Sequence, residues 1–173
     1  MRRAILRCAA GVLLAAGLAA PAFAASGEEA FAQSVASCMA ARSGDFADAI
    51  EAGRLGKPRG DEKLVAHLEA SVGPVSQVAS DGGRVYIAKG AQTCDVWAID
   101  VDPAKAVSIV AARVERSPYR AETPRWAQMM GSVDPLMRAW LVPTSGTKLL
   151  LSGGRTNKMP ARVVFMTVSE SKD

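Results

Sequence analysis

The sequence predicts an α+β protein. The expected architecture is an antiparallel sheet of five to six strands, with N-terminal helices and one mid-chain helix packed on one face, tied by one disulfide. Three observations point there. Apolar residues recur at helical spacing up to about residue 72. From residue 75 the pattern becomes short runs rich in Val, Ile, Tyr and Trp, broken by Gly, Pro and Asp. Two cysteines outside the N-terminal leader, Cys38 and Cys94, fall one in each kind of segment.

The first element is a helix over 27–42. Ser26 with Glu29 three residues on fits a capping box, and Ala30, Phe31, Val35, Cys38 and Met39 lie near one face. A second, short helix is expected from Asp45, and GKPRG (56–60) reads as a turn. A third helix starts at Asp61, carries Leu64, Val65 and Leu68 on a narrow apolar face, and stops at Gly73-Pro74.

Strands follow at 75–79, 84–89 and 94–101, joined as hairpins through Asp81-Gly82-Gly83 and Lys89-Gly90. In the last of them, alternation puts Trp97, Ile99 and Val101 on one side and Cys94, Val96 and Ala98 on the other. Asp102-Pro103 is an N-cap followed by proline at the first helical position. The helix it opens turns Val107, Val110, Ala111 and Val114 inward and ends before Pro118. Residues 117–135 are the least regular stretch, with a short helical turn expected after Thr123-Pro124. MRAWLV (137–142), TKLLLS (147–152) and RVVFMTVSE (162–170) complete the strands; the first two are linked by the turn Pro143–Gly146 and the last two by an exposed connection.

The N-terminus sets the expected compartment. Arg2, Arg3 and Arg7 precede an Ala/Leu/Val/Gly run over 9–20, then Pro21 and Ala22-Phe23-Ala24. That is the order of a secretory signal over residues 1–24, cleaved near Ala24, which leaves 25–173 as a single α+β domain of the periplasm. Paired arginines are also used in twin-arginine export, although the usual preceding Ser or Thr is missing here. The leader's apolar run is shorter than the ~20 residues of a membrane span, and no later stretch is long and apolar enough to cross a bilayer, so no span is expected after cleavage.

Cleavage changes the charge balance. The whole chain has 21 Lys+Arg against 17 Asp+Glu. Removing the three leader arginines leaves 18 against 17, a balance that gives no reason to expect nucleic acid or an anionic membrane as partner. With Cys8 removed in the leader, Cys38 and Cys94 form an even pair in an oxidising compartment and are expected to join as a disulfide. The alternatives are weaker. One histidine, His67, and no C-x-x-C spacing leave a zinc site short of ligands, and a catalytic thiolate short of a base.

Catalytic patterns are sparse. His67 sits in LVAHLEA beside the apolar face of its helix, and a hydrolase would have to use it or a carboxylate. No G-x-S-x-G elbow is present to offer a serine. Ser145 to Lys148 has the S-x-x-K spacing of penicillin-recognising enzymes, but it lies in a turn, without K-T-G or S-D-N elsewhere. The glycine clusters match no phosphate loop and no cofactor motif. Glu28-Glu29 and Asp61-Glu62 fall at helix starts, where acids complement the helix dipole.

One constellation stands out. Arg113, Arg116, Tyr119, Arg120, Arg125 and Trp126 fall close together around two prolines, and Arg and aromatic side chains are the groups that anchor interfaces. The bland reading keeps the aromatics at the core edge and the arginines in solvent. The sequence favours a non-catalytic module that binds another periplasmic protein, as an inhibitor, immunity or envelope accessory factor. A small-ligand carrier with a pocket between sheet and helices, closed by 117–130, is the alternative. A small hydrolase using His67 is the second.

Overall fold

The change of period at residue 75 is realised as expected in the computed structural model, which describes residues 25–40, 55–91, 93–154 and 163–169. The leader, the short helix expected from Asp45 and most of the connection after Gly154 lie outside those residues. The helices are α1 (Gly27–Ala40), α2 (Glu62–Ser71), α3 (Pro103–Glu115) and α4 (Arg125–Val133). The strands are β1 (Leu55–Gly56), β2 (Val75–Val78), β3 (Arg84–Lys89), β4 (Cys94–Ile99), β5 (Met137–Val142), β6 (Thr147–Gly153) and β7 (Val163–Ser169).

All seven strands form one antiparallel sheet in the order β1-β2-β3-β4-β7-β6-β5. After β4 the chain crosses to the far edge through α3 and α4. It then returns inward, so that the C-terminal strand pairs with β4 at the centre. The sheet thus exceeds the expected five to six strands by β1. Two residues of the segment read as helix tail and turn pair with Gln77 and Val78 instead. A strand this short carries no alternation by which a sequence could betray it.

One face of the sheet carries α1 and α3. Val85, Ile87, Val96, Trp140, Leu149, Leu151 and Phe165 point to it and bury Phe31, Val35, Val107, Val110 and Val114 of the helices. Cys38 of α1 and Cys94 of β4 are bonded across this layer, with Cα atoms 5.6 Å apart. In the chain-entropy view the loop so closed stabilises the fold by roughly 4 kcal/mol.

The expectation that every helix packs on one face is corrected by α2. Its Leu64 and Leu68 bury against Val75, Tyr86, Ala88, Trp97 and Ile99, which alternate onto the opposite face. That half of the sheet is apolar on both sides, and both sides need a cover. A second correction concerns Val101. Expected with Trp97 and Ile99, it joins the α1–α3 layer instead. The strand ends at Ile99, and Asp100 takes a left-handed conformation (φ 59°), which turns the chain over and breaks the alternation.

Local chemistry places the helix starts. Ser26 accepts from the Glu29 amide at 3.3 Å, one arm of the capping box. The Glu29 carboxylate reaches α3 instead, where it pairs with Arg113. A Cβ on Gly27 would collide with the Gly82 carbonyl, so the β2–β3 turn can rest on the start of α1 only if residue 27 is glycine. Asp102 caps α3 as expected, its Oδ1 accepting from Ala104 at 2.9 Å and Lys105 at 3.2 Å. Asp61 precedes α2 without capping it; its carboxylate takes the Tyr86 hydroxyl at 2.9 Å and Arg84 at 3.0 Å.

Candidate functional site

The chain between α3 and β5 builds two neighbouring features. Ser117 closes α3, its amide and hydroxyl both donating to the Val114 carbonyl. Arg120 is left-handed (φ 48°), which swings the backbone toward the sheet edge. There Glu122 and Leu141 exchange both backbone hydrogen bonds at 2.8 Å. Tyr119 is thereby held between a helix end and a strand edge, and α4 runs back along β5. A Cβ on Gly131 would lie 3.5 Å from the Met137 carbonyl, so helix and strand approach closely. Together with the brevity of β1, this manages both edges of the sheet.

The first feature is a cavity of about 210 Å³ between the α1–α3 layer and the β5–β6 hairpin. Met39, Tyr119, Val142, Thr147, Leu149 and Thr167 line it, with Thr144 and Ser145 of the turn. Gly146 (φ 65°) lets that turn close, and the Gly146 amide donates to Val142 at 2.9 Å. Ser145 Oγ and Thr147 Oγ1 are 2.8 Å apart and share a hydrogen bond. Thr167 Oγ1 accepts from the Cys94 amide at 2.8 Å, beside the disulfide.

The second feature is the outer flank of α4. Ala127 is buried toward the body of the protein, whereas Trp126 is 40% exposed, Met129 69% and Val133 87%. At 100° per residue these three fall within an arc of about 60°. They form a continuous apolar stripe beside the polar Gln128 and Ser132. They are the exposed large hydrophobic residues of the described chain.

The six residues singled out in the sequence do not form one patch. Arg113 is half-buried and pairs with Glu29, joining α3 to α1. Tyr119 lines the cavity. Arg116 donates to Ala112 of its own helix at 2.8 Å and is otherwise exposed. Arg120 and Arg125 are exposed, and among the described residues neither they nor Arg116 pairs with an acid. Trp126 lies on the stripe. Sequence reasoning missed Met129 and Val133, whose spacing from Trp126 was visible, and the cavity residues Met39, Thr147 and Thr167, which only the topology brings together.

His67 is exposed on α2, its ring edge-on to Trp97 with centroids 6.4 Å apart. Its side chain makes no hydrogen bond to an Asp, Glu, Ser or Cys among the described residues. On the same sheet face the Trp97 indole N–H has no acceptor among the described residues. Asp95, nearly buried, is raised to about 6 by desolvation. In the S-x-x-K stretch, Lys148 alternates onto the face opposite Thr147, away from the cavity. No group of three or more His, Cys, Asp or Glu able to hold a metal occurs among the described residues. Nor is any helix there long and apolar enough to cross a membrane.

No family model, curated protein or solved structure matches the chain. What the site can do therefore rests on its own chemistry: an apolar helix flank that opens with Arg125, and a cavity whose described lining carries no charged side chain.

Proposed function

We propose that this chain is a non-catalytic periplasmic protein that binds another protein through α4. The observation that carries the reading is the stripe of Trp126, Met129 and Val133. Exposed apolar side chains aligned at helical spacing are the pattern by which a helix anchors in a partner's groove. Trp is also the residue type most enriched among interface anchors.

The helix itself supports the reading. Its N-cap is Pro124, which supplies no capping side chain, and its first turn holds Arg125 and no acid. A cation at that end opposes the helix dipole. Residue choice there serves contact rather than helix stability. With Arg125 on the same helix beside the stripe, and Arg116 and Arg120 exposed in the segment that leads to it, the partner suited to it carries an apolar groove with an acidic rim.

The test is site-specific cross-linking in the cell envelope. A photo-reactive amino acid replacing Met129 is expected to give one discrete adduct that disappears with Trp126→Asp. The same probe replacing Glu69, exposed on α2, is expected to give none. No adduct at position 129, or the same adducts at both positions, contradicts the proposal.

A further inference from the structure

We propose that the cavity beneath the β5–β6 hairpin is a binding site for a neutral, single-ring aromatic molecule that carries one hydrogen-bond acceptor. This goes beyond docking through α4, and it rests on different residues.

Size sets the first limit. A cleft of about 210 Å³, open to the surface beside the exposed Thr144 and Ser145, keeps its shape for a reason. The reason is visible in its walls. The Cys38–Cys94 bond fixes the end of α1, the Glu122–Leu141 bridge fixes the chain beside Tyr119, and the Gly146 turn fixes the hairpin. None of the three can collapse inward without breaking a covalent or hydrogen bond. An apolar cavity of about 150 Å³ accepts benzene, so the present one has room for a ring with a short substituent.

Charge sets the second limit. Among the described residues, no lysine, arginine, aspartate or glutamate lines the space. An ion entering it would lose its water and gain no counter-charge. The occupant is therefore neutral.

The remaining choice comes from Thr167, which is 1% exposed. Its oxygen accepts from the Cys94 amide, and its own proton has no acceptor among the described residues. A buried hydroxyl in that state is completed by an acceptor on whatever fills the cavity. Ser145 and Thr147, by contrast, already bond each other. The Met39 thioether and the Tyr119 ring, both in the lining, favour an aromatic ring over an alkyl chain.

Three probes of one shape test this with the purified protein at pH 7, by titration calorimetry and ligand-observed NMR. Acetophenone, with ring and acceptor, is expected to bind saturably. Ethylbenzene, which lacks the acceptor, is expected to bind about fivefold more weakly. Benzoate, an anion, is expected to bind at least about tenfold more weakly. Thr167→Ser keeps the hydroxyl and is expected to bind acetophenone within about twofold of the parent, while Thr167→Val loses about fivefold. Val142→Phe, which fills the space, is expected to abolish binding; the Thr167 pair keeps the test intact should that variant not fold. No saturable acetophenone binding, equal binding of benzoate, or a folded Val142→Phe protein that still binds would overturn the proposal.

Discussion

α3 and α4 are neighbours in sequence and contrast in almost every physical respect. α3 opens on a capping aspartate and a proline at its first position, and ends with Arg113 in its last turn. It buries Ala106, Val107, Val110 and Val114 against the sheet. α4 opens without a side-chain cap, places a cation at its positive end, and buries Ala127 while leaving Trp126, Met129 and Val133 in water. A helix of nine residues is marginal unless its apolar face is covered. In α3 every residue choice serves the folded monomer. In α4 the side chains that would normally seek cover face outward, and that difference is what the proposed docking role rests on.

The largest expected effect is on the α3 side. Val110 is fully buried, and Val110→Ala should cost about 2 kcal/mol in urea unfolding, through lost burial plus the void left behind. Glu28 sharpens the contrast through pH. Burial alone would raise its carboxyl, but hydrogen bonds from the Asp102 amide, its own amide, Ser26 and Lys105 outweigh that and lower it to about 2 from 4.5. A depressed carboxyl stabilises the fold above about pH 4.5, and that stability is lost as pH falls toward 2. Glu28→Gln should therefore cost about 1–2 kcal/mol at pH 7. The difference from the parent should shrink steadily in unfolding curves taken below pH 4.5. Asp102→Ala removes the α3 cap and should cost about 1 kcal/mol by the same measurement at pH 7.

The contrast also explains what the sequence disclosed. The start of α3 was legible to the residue because Asp102, Pro103 and the valine spacing all favour one outcome, although the helix stops at Glu115, short of Pro118. The sheet was legible for the same reason: β2 to β7 follow runs of β-branched and aromatic residues bounded by turn chemistry. α4 was visible only as a helical turn. Its N-terminus lacks a cap signal, and its apolar residues spread over more of the helix surface than one packed face requires. β1 is too short for a period to register. The second face of the sheet was legible in principle, since Tyr86, Trp97 and Ile99 alternate with residues that are also apolar. Such double-sided burial calls for a cover on both sides, and Leu64 and Leu68 of α2 supply it.

The site was less legible than the fold. Arg113, Tyr119 and Trp126 were visible as a cluster in the chain, yet the fold sends them to an ion pair, a cavity and an open stripe. The cavity depends on residues more than a hundred positions apart, Met39 and Thr167, which no local pattern relates. Sequence proximity indicated which residue types were gathered. The left-handed turn at Arg120 and the Glu122–Leu141 bridge decide how they are shared out.

The measurement that bears most directly on α4 is the urea stability of a double variant of its two most exposed apolar residues, Met129→Ser and Val133→Ser. If the stripe is held for a partner, unfolding of the isolated protein should shift by no more than about 0.5 kcal/mol, as for surface substitutions generally. A loss of several kcal/mol would mean that these side chains belong to the monomer's own core, and the case for a docking helix would be gone.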